Sequence, residues 1–448
     1  MTVDERYKSK DILKLAVPAA IENILHALVG FIDTLMISRI GLVAVTAIGI
    51  SNNILAVYLA VFIALGVGTS SLISRYLGSG KIDDAKKIAI QSTGLSIITG
   101  IIFGLVTIFF GKQILGIMGA EREVIENAVS FFYIVGGTSV FISVVTVFGS
   151  ILRATGDTKS PMIVNTAVNI LNVIIDYILI FGLGPIPAMG VLGTAIGTVV
   201  SRIIGSIIMY LKIKKTSLSF NFGEIFKQSN YTELIELSIP AALERLVMRL
   251  GQVVYFGLIV SIGVKTYAAH TIAGNIEIFT YMPGYGLTTA ASILVGNSIG
   301  SGNNKEAFEY GTLAVKIGVI IMAMGGIILY FSSPWFATWF TQDSEVIGKI
   351  ITALHIDAFA QIPVAISVIF AGALQGMGDT KSPLYSTAIG MWGIRVLGIY
   401  IFSVKFEMDI AGIWIAILID ITIRAIFLTI RFRNKTLKNN EMYHTNTI

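Results

Sequence analysis

Long apolar runs, each closed by a short stretch rich in glycine, proline or charge, follow one another along the whole chain. A helix needs roughly 20 apolar residues to cross a hydrocarbon core of about 30 Å. Runs of that size predict twelve transmembrane helices, at 12–38, 45–77, 86–111, 122–151, 160–183, 189–213, 234–261, 267–299, 306–331, 345–374, 383–404 and 411–433. Composition agrees: the 448 residues are 54% hydrophobic and 13% charged, with a mean hydropathy of +0.81, which is incompatible with a chain solvated on all sides. The expected fold class is an all-α integral membrane protein.

The pattern also maps onto itself. Leu152–Pro161 reads LRATGDTKSP, and Leu374–Pro383, 222 positions on, reads LQGMGDTKSP. The same offset carries Pro18 onto Pro240, Glu22 onto Glu244, Gly41 onto Gly263, Gly78 and Gly80 onto Gly300 and Gly302, and Gly190 onto Gly412. A duplicated six-helix unit is implied. Because six is even, the second copy enters the membrane in the same sense as the first, so the repeat is parallel. The expected organisation is an N-lobe at 1–213, a cytoplasmic linker at 214–233, a C-lobe at 234–434 and a cytoplasmic tail at 435–448. The mismatches carry more information than the matches: Asp33 is matched by Tyr255 and Asp176 by Gly398.

The net charge of +5 marks topology rather than a nucleic-acid partner. Arg75, Lys81, Lys86, Lys87, Lys212, Lys214, Lys215, Arg431 and Arg433 crowd the even-numbered loops and the C-terminal end, so both termini are expected in the cytoplasm. A monomeric, multi-pass protein of the cell membrane is the expectation. Acidic residues precede the first apolar run and no small-residue cleavage site follows it, so no removable signal peptide is expected. With no cysteine, disulfides, thiolate metal sites and cysteine nucleophiles are excluded. His26, His270, His355 and His444 are too scattered for a zinc set such as HExxH, which argues against an intramembrane hydrolase and against an enzyme. No cofactor is expected. Gly80-Lys81 lacks the flanking residues of a phosphate-binding loop, with Arg75 and Ile82 in their places. At the two GDTKSP turns, Thr158 or Ser160 is expected to cap a helix that Pro161 begins.

A charge at the centre of a membrane helix costs about 2.5 to 3.5 kcal/mol on insertion scales, so such residues face protein or a water-filled cavity. Asn165, Asn169, Asn172 and Asp176 follow at +4, +7 and +11 and share one helical face. The offset turns them into Thr387, Met391, Ile394 and Gly398, so the fold does not require the stripe. Glu22, His26 and Asp33 make a second stripe, with Pro18 one turn before Glu22. If the stripes face each other, Asp33 and Asp176, with the Asn172 amide, form a paired-carboxylate site. Two close carboxylates cannot both stay charged cheaply, so one takes a proton or the pair shares a cation. Oxygen ligands suit a hard ion such as sodium. In the alternative reading these groups only hydrogen-bond helices together. Accessory candidates are Asn169, His26, Glu244 and Asp357, the last with Gln361 and Pro363 nearby. Asp420 and Arg424, four apart, are expected to pair, and Arg202, which recurs as Arg424, to reach toward the cytoplasm. Arg245, Arg249, Glu277 and Arg395 are further ionisable residues of the second half, without an assigned role.

The repeat, the GDTKSP turns, the phrase FIDTLMISRIG at Phe31–Gly41 and the phrase NILNVIIDYILIFG at Asn169–Gly182 together resemble the multidrug and toxic compound extrusion (MATE) family over essentially the whole chain. The resemblance implies that an aspartate of helix one, an Asn-x-x-x-Asp pair of helix five and a threonine of helix six line a cation or proton site. Here these are Asp33, Asn172, Asp176 and Thr194, which would also hold the metal if the ion is sodium. It implies a bent first helix, with Pro18 as hinge. Some members carry a further site in the C-lobe, but Met248 and Val364 stand in its places here, so none is assigned.

The implied function is a cation-coupled antiporter, driven by sodium ions or protons, that exports lipophilic or cationic organic compounds by alternating access. The alternative is a flippase for a lipid-linked oligosaccharide precursor. That would need a strongly cationic cavity for pyrophosphate, whereas the N-lobe stripes are acidic. Expected partners are small organic molecules and the lipid bilayer.

Overall fold

A computed structural model describes residues 3–118, 122–225 and 230–445. The helices in order are α1 (Val3–Ser38), α2 (Leu42–Gly78), α3 (Ile82–Ile117), α4 (Arg122–Gly137), α5 (Ser139–Ala154), α6 (Lys159–Phe181), α7 (Val191–Ile213), the short α8 (Phe222–Ile225), α9 (Thr232–Ile262), α10 (Val264–Gly300), α11 (Asn304–Phe340), α12 (Ser344–Gly376), α13 (Lys381–Lys405) and α14 (Asp409–Thr445). Among the described residues the only strand-like pairing is one bridge between Leu183 and Ile186.

Ten of these helices are long and apolar enough to cross a membrane. The run expected at 122–151 is bent by 47° between α4 and α5, and counted as one broken span this pair brings the number to eleven. The remaining expected span, 267–299, forms α10. At 37 residues it is long enough, but His270, Asn275, Glu277, Thr280 and Tyr281 interrupt its apolar run. Positions 226–229 of the expected linker and 446–448 of the expected tail lie outside the described residues.

The chain divides into two compact units. One comprises Met1–Ile21, Ser74–Gly80 and Ile239–Ile448, the other Glu22–Ile73 and Lys81–Ser238. Each has its own apolar core. In the first, Trp414, Phe432, Ile12 and Leu354 are fully enclosed among α10, α11, α12 and α14. In the second, Phe62, Phe132 and Leu115 are enclosed. Lipid supplies no hydrophobic drive for helix association, so close backbone approach matters. In the first unit Gly78 abuts the Asn297 backbone of α10, and its repeat mate Gly300 abuts the Arg75 backbone of α2. Asn297 and Arg75 are themselves 222 positions apart, so the duplication is preserved in the contact itself.

The GDTKSP turns show how the repeat is built locally. Gly156 and Gly378 adopt φ of 85° and 86°, a left-handed conformation natural to glycine. The following amides close the preceding helix identically, Asp157 N–H to Leu152 O at 3.2 Å and Asp379 N–H to Leu374 O at 2.8 Å. The cap of the next helix differs from the sequence expectation. Neither Thr158 nor Ser160 accepts the bond; the Asp157 carboxylate accepts from Ser160 N–H at 2.9 Å, and Asp379 from Ser382 N–H at 3.0 Å. A carboxylate is the better partner, since it also meets the positive end of the helix dipole.

Asp379 does more than its mate, because it also contacts Lys435 at 2.8 Å and Arg431 at 3.3 Å. We expect Asp157→Ala to cost about 1 kcal/mol and Asp379→Ala more, as read from thermal unfolding. Burial works against the Asp379 carboxylate, but Lys435 and Ser382 outweigh it and hold the carboxyl below its ordinary range. Its contribution is therefore present above the usual carboxylate pKa of about 4. It is lost only as pH falls through the lower folded value.

Candidate functional site

The site is assembled where α7 packs on α6. Gly193, Thr194, Gly197, Ser201 and Gly205 place small side chains along one face of α7. This lets the two helices approach closely: Gly193 meets the Leu179 backbone, Gly205 meets Val168, and Gly197 faces the Asp176 carboxyl. Asp176 is 0% exposed and Thr194, one turn before Gly197, is 4% exposed. Asn172, one turn before Asp176 on α6, donates Nδ2–H to Asp176 Oδ1 at 3.0 Å. The second carboxylate oxygen, Asp176 Oδ2, is buried with no partner, and so are Asp33 Oδ1, Thr194 Oγ1 and Arg202 Nη1. Native proteins leave few such atoms unpaired, so four in one region call for an explanation.

The charges of this region act on one another. Asp33 on α1 acts on Asp176, and the Arg202 guanidinium acts on both carboxylates and on His26. Arg202 is therefore within electrostatic reach of the acid pair, with no ion pair to either carboxylate among the described residues. With both carboxylates ionised, the trio carries one net negative charge. Such a site can take up one proton or one monovalent cation without accumulating charge.

The chain also matches a known family. The MatE family model matches residues 18–178 and again residues 240–401, opening at Pro18 and at its repeat mate Pro240. The chain belongs to the MatE family. Among relatives, it is 30% identical to "Probable multidrug resistance protein NorM" of Thermotoga maritima, over 93% of this chain and 90% of that one. A MATE protein crystallised in the bent conformation shares the fold at a TM-score of 0.90, with 23% identity and 97% of both chains covered. A MOP superfamily transporter from Pyrococcus furiosus, described as having a binding pocket of reverse polarity, does so at 0.89, with 24% identity and 96% of both covered. The chain is accordingly a multi-pass membrane transporter of the MatE multidrug-efflux class.

In this MatE chain the two sequence stripes do not act as single faces. Asn165 leaves the α6 stripe to donate Nδ2–H to Glu22 Oε1 at 2.6 Å, and Arg153 Nη1 reaches the same carboxylate at 3.2 and 3.3 Å. Asn169 lies half-buried between the two clusters. In the other unit, Glu244 accepts from Gln375 Nε2 and from Thr387 Oγ1, both at 3.2 Å. All three pairs, Glu22/Glu244, Arg153/Gln375 and Asn165/Thr387, obey the 222-residue offset. Each copy thus clamps one glutamate between the same two helices, by an ion pair in the first copy and neutral groups in the second. Both glutamates follow a proline that lies inside its helix, Pro18 in α1 and Pro240 in α9. The clamp holds the segment next to a position where the backbone ladder is already interrupted.

Asp357 joins a separate cluster in the other unit. It accepts from Gln361 Nε2 at 2.7 Å and from the Tyr281 hydroxyl at 3.2 Å, beside Glu277. Asp420 accepts from Arg395 and Arg424. The sequence did not mark Gly197 or Arg202 for the acid site. For Gly197 the available signal is its place three residues after Thr194, on the face that α6 covers. We expect Gly197→Ala to push the Asp176 carboxyl aside, because a β-carbon there would collide with Oδ1. Gradient-driven transport should fall about 10- to 100-fold with the melting temperature nearly kept, measured in proteoliposomes and by thermal shift.

Proposed function

We propose that this MatE protein is an antiporter that exports lipophilic or cationic organic compounds against an inward flow of protons, with both termini in the cytoplasm. The observation that carries the coupling role is the set of buried, unpartnered polar atoms of Asp33, Asp176, Thr194 and Arg202. Lipid cannot solvate them, so the oxygens of Asp33, Asp176 and Thr194 call for a proton, a small cation or water, and Arg202 Nη1, a donor, calls for an acceptor such as water. Those are the alternating conditions of a transporter.

Arg202 favours the proton. A proton and a sodium ion would each bring the trio to zero net charge, but the proton sits on a carboxylate oxygen itself, whereas sodium would need a shell of oxygen ligands beside the guanidinium. Sodium is the second reading, supported by the donor set itself: Asp33, Asp176 and Thr194 offer hard oxygens. Loading the acid pair changes the charge between α1 and α6, and Pro18 provides the place where α1 yields. Transport then follows if the two access states differ in affinity for the ion. The test is ethidium efflux from loaded proteoliposomes under a pH gradient and under a sodium gradient, imposed separately. We expect the pH gradient to drive efflux. Efflux driven by sodium alone would replace the proton with sodium, and efflux indifferent to both would sink the antiporter.

A further inference from the structure

A free cation stands at the end of the first span. Arg39, the first residue after α1, is exposed, and among the described residues its side chain forms no hydrogen bond or ion pair. It lines one end of a cavity of about 430 Å³ whose other walls are Ile32, Leu35, Met36, Tyr177 and Phe181. Ile32, Leu35, Met36 and Arg39 follow at +3, +4 and +7 and share one face of α1, and Tyr177 and Phe181, four apart, share one face of α6. The two rings pack on each other with centroids 5.3 Å apart. Seven residues of helix rise about 10 Å, so the groove reaches a good part of the way into one leaflet. At the 222-residue offset Arg39, Tyr177 and Phe181 are matched by Ser261, Ile399 and Ser403, so the fold requires neither the cation nor the aromatic wall.

The chemistry of the groove names its occupant. Leu35 is 51% exposed and Tyr177 57%, and apolar area laid open along a spanning helix calls for hydrocarbon rather than water. Arginine and tyrosine beside the end of a span mark the depth at which lipid head groups lie. A planar guanidinium fork takes two oxygens of a phosphate, and the rings with Ile32 and Leu35 offer area to an acyl chain. No lining residue other than Arg39 is charged. A dissolved anion would gain one contact there and leave the apolar walls uncovered, whereas a phospholipid satisfies both.

We propose that this groove is a binding site for an anionic phospholipid, with the phosphate on Arg39 and the upper part of one acyl chain between α1 and α6. From the proposed function it takes only the orientation, which puts this end of both helices in the outer leaflet. The same two helices carry the acid pair, since Ile32 adjoins Asp33 and Tyr177 adjoins Asp176 in sequence.

The test is native mass spectrometry of the purified protein in detergent, titrated separately with dioleoyl phosphatidylglycerol and with dioleoyl phosphatidylcholine, whose choline cation offsets its phosphate. The wild type should retain one phosphatidylglycerol more tightly than any phosphatidylcholine. Arg39→Gln should weaken that retention about tenfold with the melting temperature kept, and Arg39→Lys should recover part of it. Leu35→Trp, which fills the groove and leaves Arg39 in place, should weaken it as well. Wild-type retention in either Arg39→Gln or Leu35→Trp would show lipid held elsewhere and overturn the proposal. So would equal retention of the two lipids by the wild type, or displacement of phosphatidylglycerol by inorganic phosphate, which would assign Arg39 to a dissolved anion. Lipid retention needs neither a gradient nor transport, so a failed antiport assay and a failed lipid site are told apart.

Discussion

Cells expressing Asp33→Asn should be no more resistant to toxic organic compounds than cells with an empty vector, although the protein still folds in the membrane. Asparagine keeps the shape of aspartate and can neither carry the charge nor exchange a proton. The hydrogen bond from Asn172 to Asp176 and the packing of α7 on α6 do not involve Asp33, so the local fold survives. What disappears is the second charge that makes Asp176 and Arg202 respond to loading. A loss of about two orders of magnitude in gradient-driven efflux is the expected scale for removing a group that holds the ion. Resistance at the wild-type level would remove Asp33 from the mechanism.

The largest effect on stability is expected at Asp420. It is 0% exposed and accepts from Arg395 Nε at 2.8 Å, Arg424 Nε at 2.6 Å and Arg424 Nη2 at 2.9 Å. The local backbone is adapted to this cluster. α13 carries π-helical turns at Ile389–Val396 and Tyr400–Lys405, and Gly390 has no side chain where Asp420 and Arg424 press against it. Inserted residues of this kind re-aim the side chains that follow, here including Arg395. Asp420→Ala leaves two buried guanidiniums without their acid, which should cost about 3 to 5 kcal/mol. Replacing Asp420, Arg395 and Arg424 together by apolar residues of similar size should recover much of that loss. A thermal-shift series reads both outcomes. An unchanged melting temperature in the single alanine variant would show that the cluster does not hold this unit together.

Particular residues show how far the sequence is legible. The spans and the repeat are visible because bilayer thickness imposes long apolar runs and because duplication preserves spacing. The acid pair is visible for the opposite reason, as the place where the copies differ. Asp33 and Asp176 are charges in apolar helices, and Tyr255 and Gly398 show that the fold does not need them. The sequence points to Thr158 or Ser160 as the cap of α6 because the turn offers three suitable side chains, and only the backbone path selects Asp157. Asn165 shares a stripe with Asn172 in the sequence because periodicity reports a face of one helix but not which neighbour covers each part of it. Here Glu22 covers one end. The recurrence of Arg202 as Arg424 says nothing about the carboxylates whose charge Arg202 feels. The glutamate clamps could have been found by offset alone, since Glu22, Arg153 and Asn165 map together onto Glu244, Gln375 and Thr387.

The central claim is that one acid pair ties organic export to ion entry. Reciprocity makes it directly measurable, because a coupled ion must also be driven by the substrate. In proteoliposomes holding a pH-sensitive dye and no imposed pH or sodium gradient, an outward gradient of ethidium should pull protons inward. The wild type should acidify the lumen, and Asp176→Asn should not. Organic dye leaving through the wild-type protein with no inward movement of protons or sodium would contradict the account.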